Sequence, residues 1–317
     1  MNSWSLIAAA LKTIAPSIGS PKIKEMPTLF SNKRAIGLFL ALTSAVGFLV
    51  SNTLAGVSYL GGTNPLTVAT TRFILPAIAL IVLLRLSGTS LFLPKRAGMV
   101  SIALGFMTVI YTMALLTAIE ILPLAIAILI FYLFPIFTGL MLAMLGWRKL
   151  TMTMALSTLI AFVGIGLALG VDFENLDSWG MVYGLISGLG LATVSVISNR
   201  LMVNQDARTA TLYICISTTL MMIIVSVVTG DFKLPDTNGG WISIVTSNAF
   251  YAYSMIAYYI AISMIGAGDT TFYSNIEPIM AVGTGFLFLG QSLAPLQFVG
   301  IVVVVFALLY AGRKKAD

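Results

Sequence analysis

The sequence predicts an all-α integral membrane protein of ten transmembrane helices, arranged as a 5+5 inverted-topology repeat with both termini cytoplasmic. Three observations carry this. Of 317 residues 59% are hydrophobic and 9% charged, against roughly 25% charged in soluble domains. Lysines and arginines sort to alternate loops. Part of the first half aligns without a gap on part of the second.

The composition also excludes several functions. A mean hydropathy of +1.02 leaves too little polar material to coat a soluble core. The single Cys215 rules out a disulfide framework or a cysteine-based zinc cluster, and without histidine there is no His-based triad or imidazole relay. No G-x-x-x-x-G-K-[ST] loop offers a nucleotide-phosphate cradle. The net charge of +6 lies in short loops and tails, which suits membrane orientation and argues against nucleic acid.

A helix crosses the hydrocarbon layer with about 20 apolar residues. Ten segments qualify: 35–57, 65–86, 97–118, 122–145, 150–170, 179–202, 209–229, 241–264, 270–290 and 295–312. Turn residues separate them, as in Gly61-Gly62-Thr63-Asn64-Pro65 and Pro235-Asp236-Thr237-Asn238-Gly239-Gly240. With the N-terminus in the cytoplasm, fifteen basic residues fall inside, from Lys12 to Lys315. Lys233 alone falls outside, and Arg72 lies within a span. This positive-inside bias fixes the orientation and would be scrambled by a missed span.

The chain divides into a cytoplasmic tail (1–34), a first five-helix repeat (35–172), a second (178–313) and a basic C-terminal tail (314–317). In the first tail, Trp4, Ile7, Ala8, Leu11, Ile14, Ala15 and Ile18 share a helical face, consistent with an interfacial amphipathic helix or a disordered basic tail.

Residues 111–135 align on 254–278 at a constant offset, pairing Ala114 with Ala257, Ala118 with Ala261, Ile119 with Ile262 and Pro135 with Pro278. Gly146 and Gly290 follow with a one-residue shift. An odd number of spans per half inverts the second half. This architecture is associated with alternating access.

At this point the sequence resembles the drug/metabolite transporter superfamily, EamA-type. The resemblance rests on the topology, on Glu277-Pro278, and on the run Gly290-Gln291-Ser292-Leu293-Ala294-Pro295-Leu296-Gln297-Phe298-Val299-Gly300. The first half keeps Pro135 and a degenerate Gly146-Trp147-Arg148-Lys149-Leu150-Thr151, and Arg72 matches a common family position. Two features depart from the pattern: Trp147 and Gln291 replace a usual Glu, and Val46-Gly47 replaces Trp-Gly. The resemblance implies a secondary transporter, not an enzyme, that exports small organic metabolites, amino acids or related amphipathic compounds. A non-transporting scaffold or partner subunit of the same fold is the alternative. The expected setting is the inner (plasma) membrane. Expected partners are the lipid bilayer, the solute, protons as candidate coupling ion and a second copy of the chain as candidate dimer partner. No cofactor and no metal are expected.

Ionisable groups inside a bilayer are costly and usually face a cavity or one another. Arg72 and Glu277 lie well inside predicted spans, each roughly 10 Å deep at 1.5 Å per residue. Arg72 could hold an anionic group of a substrate and Glu277 an amine or a proton; alternatively, the two could form an internal ion pair, or Arg72 could be a structural anchor donating to several carbonyls. Pro76, Pro135 and Pro278 mark helix breaks and candidate gating points, with Pro278 leaving the Ser274 carbonyl without its donor. Candidate binding residues around them are Tyr273, Ser274, Asn275, Tyr132, Asn52 and Tyr258. Thr270, Tyr273, Ser274 and Glu277 share one face at helical spacing. Tyr253 and Tyr259 read as packing or interfacial residues, and Glu120 and Asp269 as solvated or capping ones, with a gating role as the alternative. Gly180, Gly184 and Gly188 form a packing ridge, within the chain or at a dimer face. Gly266-Ala267-Gly268-Asp269 matches an intramembrane aspartyl protease pattern, but no second membrane-embedded Asp exists to share a proton.

Overall fold

The computed structural model describes residues 27–149, 151–170, 177–289 and 294–313, and all regular structure among them is helical. In chain order the helices are α1 (Pro27–Leu60), α2 (Pro65–Thr71), α3 (Ile74–Leu86), α4 (Lys95–Ile121), α5 (Leu124–Phe131), α6 (Phe134–Met144) and α7 (Met152–Leu169). The remainder are α8 (Ser178–Met202), α9 (Ala207–Thr229), α10 (Asn238–Ile265), α11 (Ala267–Tyr273), α12 (Ile276–Leu289) and α13 (Pro295–Arg313). Helix α1 begins inside the stretch assigned to the N-terminal tail. The expected interfacial helix, the C-terminal tail and the Gly290–Leu293 part of the repeat lie outside the described residues.

Seven stretches, from Lys33–Leu60 through Ala207–Thr229, are long and apolar enough to cross a membrane. The other three predicted spans fall short of that standard for visible reasons. Helix α10 has the length but is diluted by serines and tyrosines. The ninth segment is interrupted between α11 and α12, and the apolar run of the tenth, Pro295–Tyr310, is short. Large apolar side chains such as Leu220, Val227, Val228, Phe306 and Leu309 face outward, as lipid contact requires.

Local chemistry sets the helix ends. Asn64, Asp177 and Thr237 accept hydrogen bonds from Thr67, Gly180 and Gly240 N–H at 2.9, 2.9 and 3.0 Å. These satisfy donors that the first helical turn leaves open. Helices α7 and α9 end on Gly170 and Gly230 in the left-handed region, at φ 61° and 68°.

The most extensive helix pairs are α1 with α10, α4 with α8, and α7 with α13. Small residues make these approaches possible. Gly47 of α1 packs on the Ser254 hydroxyl, and a Cβ at Gly300 would collide with the Ala168 backbone and lie 2.6 Å from the Gly164 carbonyl. The Gly180, Gly184 and Gly188 ridge faces inward, against Leu122, Ile130 and the Phe131 carbonyl. It therefore serves packing within the chain.

Three spans break near prolines. Arg72 and Phe73 separate α2 from α3, Tyr132 and Leu133 separate α5 from α6, and Ser274 and Asn275 separate α11 from α12. Pro278 does not leave the Ser274 carbonyl free, as expected from the sequence. Glu277 N–H takes it at 3.0 Å, because tightening to an i→i+3 bond rescues an acceptor that an i→i+4 ladder would abandon.

Candidate functional site

The broken spans and α1, α4, α8 and α10 surround a cavity of about 190 Å³. Six predicted site residues line it: Arg72, Glu277, Ser274, Tyr132, Asn52 and Tyr258. Its wall extends to Tyr59 and Pro65, at the end of α1 and the start of α2.

Arg72 sits at the break after α2 and lines the cavity. Its guanidinium carbon lies 4.7 Å from the centroid of the Tyr251 ring. Edge-on contacts with Phe48 and Phe73, at 5.5 and 5.3 Å between centroids, hold that ring in place. The arrangement favours a cation over the ring face. Arg72 Nε is buried without a hydrogen-bond partner, an open donor in an apolar setting, where an unmade bond is costly.

Glu277 sits one residue into α12. Asn52 Nδ2 donates to its Oε1 at 3.0 Å, and the Tyr132 hydroxyl is within hydrogen-bonding reach of the carboxylate. Arg72 and Glu277 form no ion pair with each other. A cation and a carboxylate therefore face one apolar, aromatic chamber with separate sets of partners.

Tyr273 and Asn275 do not line the cavity. Tyr273 packs against Phe272 in the core, and Asn275 is buried. The single face inferred for Thr270, Tyr273, Ser274 and Glu277 presumes a continuous helix, and the break at Ser274 and Asn275 rotates α12 relative to α11. Pro278 and Pro135 are buried beside their breaks, and Pro76 follows the break at Arg72 and Phe73. Of the solvated and capping readings of Asp269, burial rules out the first: the residue lies in the first turn of α11, is 8% exposed and is ion-paired with Arg148. Glu120 is exposed.

Sequence reasoning missed several wall residues: Tyr111, Thr112, Leu115 and Leu116 of α4, Phe48 and Tyr59 of α1, and Met255 of α10. Helical spacing carried the signal. Phe48 and Tyr59 lie four before and seven after Asn52 on the same stripe. Tyr251, Met255, Tyr258 and Tyr259 also share a stripe, whereas Tyr253 falls off it. Tyr259 thus reaches the cavity, while Tyr253 is exposed and donates to Thr43 Oγ1 at 2.8 Å. Among the described residues no group of histidine, cysteine or carboxylate side chains could hold a metal ion.

Comparison with known proteins places this geometry. Residues 178–313 match the model of the EamA-like transporter family. One crystal structure of a protein superposes on 90% of this chain and 97% of its own, with a TM-score of 0.69 and 16% sequence identity; that likeness concerns the fold alone. No curated protein matches the sequence. The apolar helices and the family match make the chain a multi-pass membrane protein whose residues 178–313 are similar to the EamA-like transporter family.

Proposed function

We propose that this chain is a secondary transporter of the inner membrane that exports a small amphipathic metabolite, an amino acid or related compound, by alternating access between two inverted five-helix halves. Arg72 holds the anionic group of the solute. Glu277, with Asn52 and Tyr132, holds its amine or a coupling proton, and the rings of Tyr251, Tyr258 and Tyr259 cover its apolar part.

The observation that carries this reading is that Arg72, whose buried Nε has no hydrogen-bond partner, and Glu277 line one cavity with no ion pair between them. An internal ion pair would have consumed both charges. A chamber of this polarity suits an organic solute carrying a few polar groups.

What supports the two-half reading is the pattern of helix pairing. Number the spans one to ten, joining the broken pairs, and add five to each number, counting round. The pairing of one with eight maps onto six with three, three with seven onto eight with two, and four with six onto nine with one. Five with ten and two with seven map onto themselves. A twofold-related pair of repeats produces such invariance.

A thermal-shift screen of purified protein against amino acids, nucleosides and sugar derivatives tests the proposal. A ligand-specific rise in Tm that disappears in Arg72→Ala is the expected result. If Arg72→Ala alters assembly while no solute shifts the wild-type protein, the scaffold alternative replaces it.

A further inference from the structure

We propose that Arg148 and Asp269 form a latch sealing the cytoplasmic end of the cavity, and that the fold described here is the outward-open member of the cycle. This inference rests on the two-half transporter reading.

The pair bridges the halves. Arg148 follows α6 in the first, and Asp269 lies in α11 of the second, 121 residues away, with Nη1 and Oδ1 2.7 Å apart. Asp269 precedes Ser274, at the end of α11, by five residues, placing it roughly 8 Å below that residue along the helix. Between these levels the structure is closed. All seven residues of α11 are buried, wedged among α1, α6, α8 and α10. Phe272 and Tyr273 pack in one apolar cluster with Tyr132 and Phe134.

The opposite end differs. The repeat offset that pairs Pro135 with Pro278 makes α5 the counterpart of α11. Only Ile126, Ala127 and Leu129 of α5 are buried, and Leu124 is 57% exposed. The counterpart of Asp269 is Ile126, which cannot form an ion pair. Here the cavity wall runs out to Tyr59 and Pro65. Of the two related elements, α11 is the more deeply buried.

The latch also has a built seat. A Cβ on Gly268 would lie 2.9 Å from Arg148 Nη1, so the guanidinium rests on bare backbone. Taking the guanidinium away from a carboxylate that is mostly buried is costly. Whatever opens the inner end must therefore separate these two groups, and their pairing biases the equilibrium between the two states.

The test needs no known solute. In full-length protein carrying Cys215→Ala, a reporter thiol is placed in the cavity as Ser274→Cys. A membrane-impermeant thiosulfonate is then applied from one face at a time, using right-side-out and inverted vesicles. With the latch intact, labelling should come from the outer face. Asp269→Asn and, as a second variant acting from the other half, Arg148→Gln should each raise labelling from the inner face about tenfold. The exchange Arg148→Asp with Asp269→Arg should restore protection. Labelling of the intact protein from the inner face, or unchanged inner-face labelling in folded variants, overturns the proposal. A labelling response without solute transport would retain the latch and count against the transporter reading alone.

Discussion

Asn52 Nδ2 donates a 3.0 Å hydrogen bond to Glu277 Oε1, joining α1 to α12 across 225 residues of sequence. The contact links the two predicted halves at the cavity wall, with Tyr132 of the fourth span close to the same carboxylate. Movement of the halves would change the partners of this group and therefore its hold on a proton or an amine.

Glu277→Gln keeps the size and the Asn52 contact while removing the charge. In proteoliposomes with an imposed pH gradient, this variant should lose gradient-driven flux of the identified solute while remaining folded. Unchanged gradient-dependent flux would remove Glu277 from the coupling role.

Tyr251 positions Arg72 through its ring face, 4.7 Å from the guanidinium carbon. Tyr251→Phe should preserve solute affinity to within a few-fold. Tyr251→Leu should weaken it by about 1–2 kcal/mol, the range of a desolvated cation–π contact. Arg72→Lys should lose binding as well, because an ammonium cannot reproduce the planar fork. Calorimetric titration of the three variants would separate these outcomes.

Gly300 packs against the Ala168 backbone and the Gly164 carbonyl. Gly300→Ala should destabilise the α7–α13 contact by about 1–3 kcal/mol, as over-packing does where backbone cannot yield. Gly283 has open space around a notional Cβ, so Gly283→Ala is the control, with a much smaller change in Tm expected.

At the loop between α8 and α9, Arg208 hydrogen-bonds Asp206 and holds its carboxyl below the ordinary carboxylate range. The contribution is therefore present above the unfolded-state value, near 3.9, and is lost as pH falls through the folded one. Both side chains are about one-third exposed, so solvent screening keeps the ion pair at or below about 1 kcal/mol. Asp206→Asn should lower Tm modestly at pH 7, and the gap to wild type should close in the acid range. A melting series against pH measures both.

Much of the membrane architecture was legible in single residues. The sorting of Arg148, Lys149, Arg200 and Arg208 from Lys233, and the apolar runs between them, carried the topology expectation. The prolines located the helix breaks. Arg72 and Glu277 stood out because a charge in an apolar run has few ways to be stabilised. The wall of the site was less legible. Aromatic residues such as Tyr111 and Tyr251 resemble ordinary core residues until the helices bearing them are oriented around a common space.

The sequence by itself determined a multi-pass helical chain with two isolated intramembrane charges, because apolar run length and charge placement are local properties that the bilayer reads directly. Only the tertiary structure decided that Arg72 and Glu277 share a cavity without pairing, that Tyr273 turns into the core, and that Asp269 is buried against Arg148. Those outcomes depend on rotation across broken helices and on contacts more than a hundred residues apart. Helical periodicity loses its phase at each break, and no local pattern specifies which distant side chain will meet a given face.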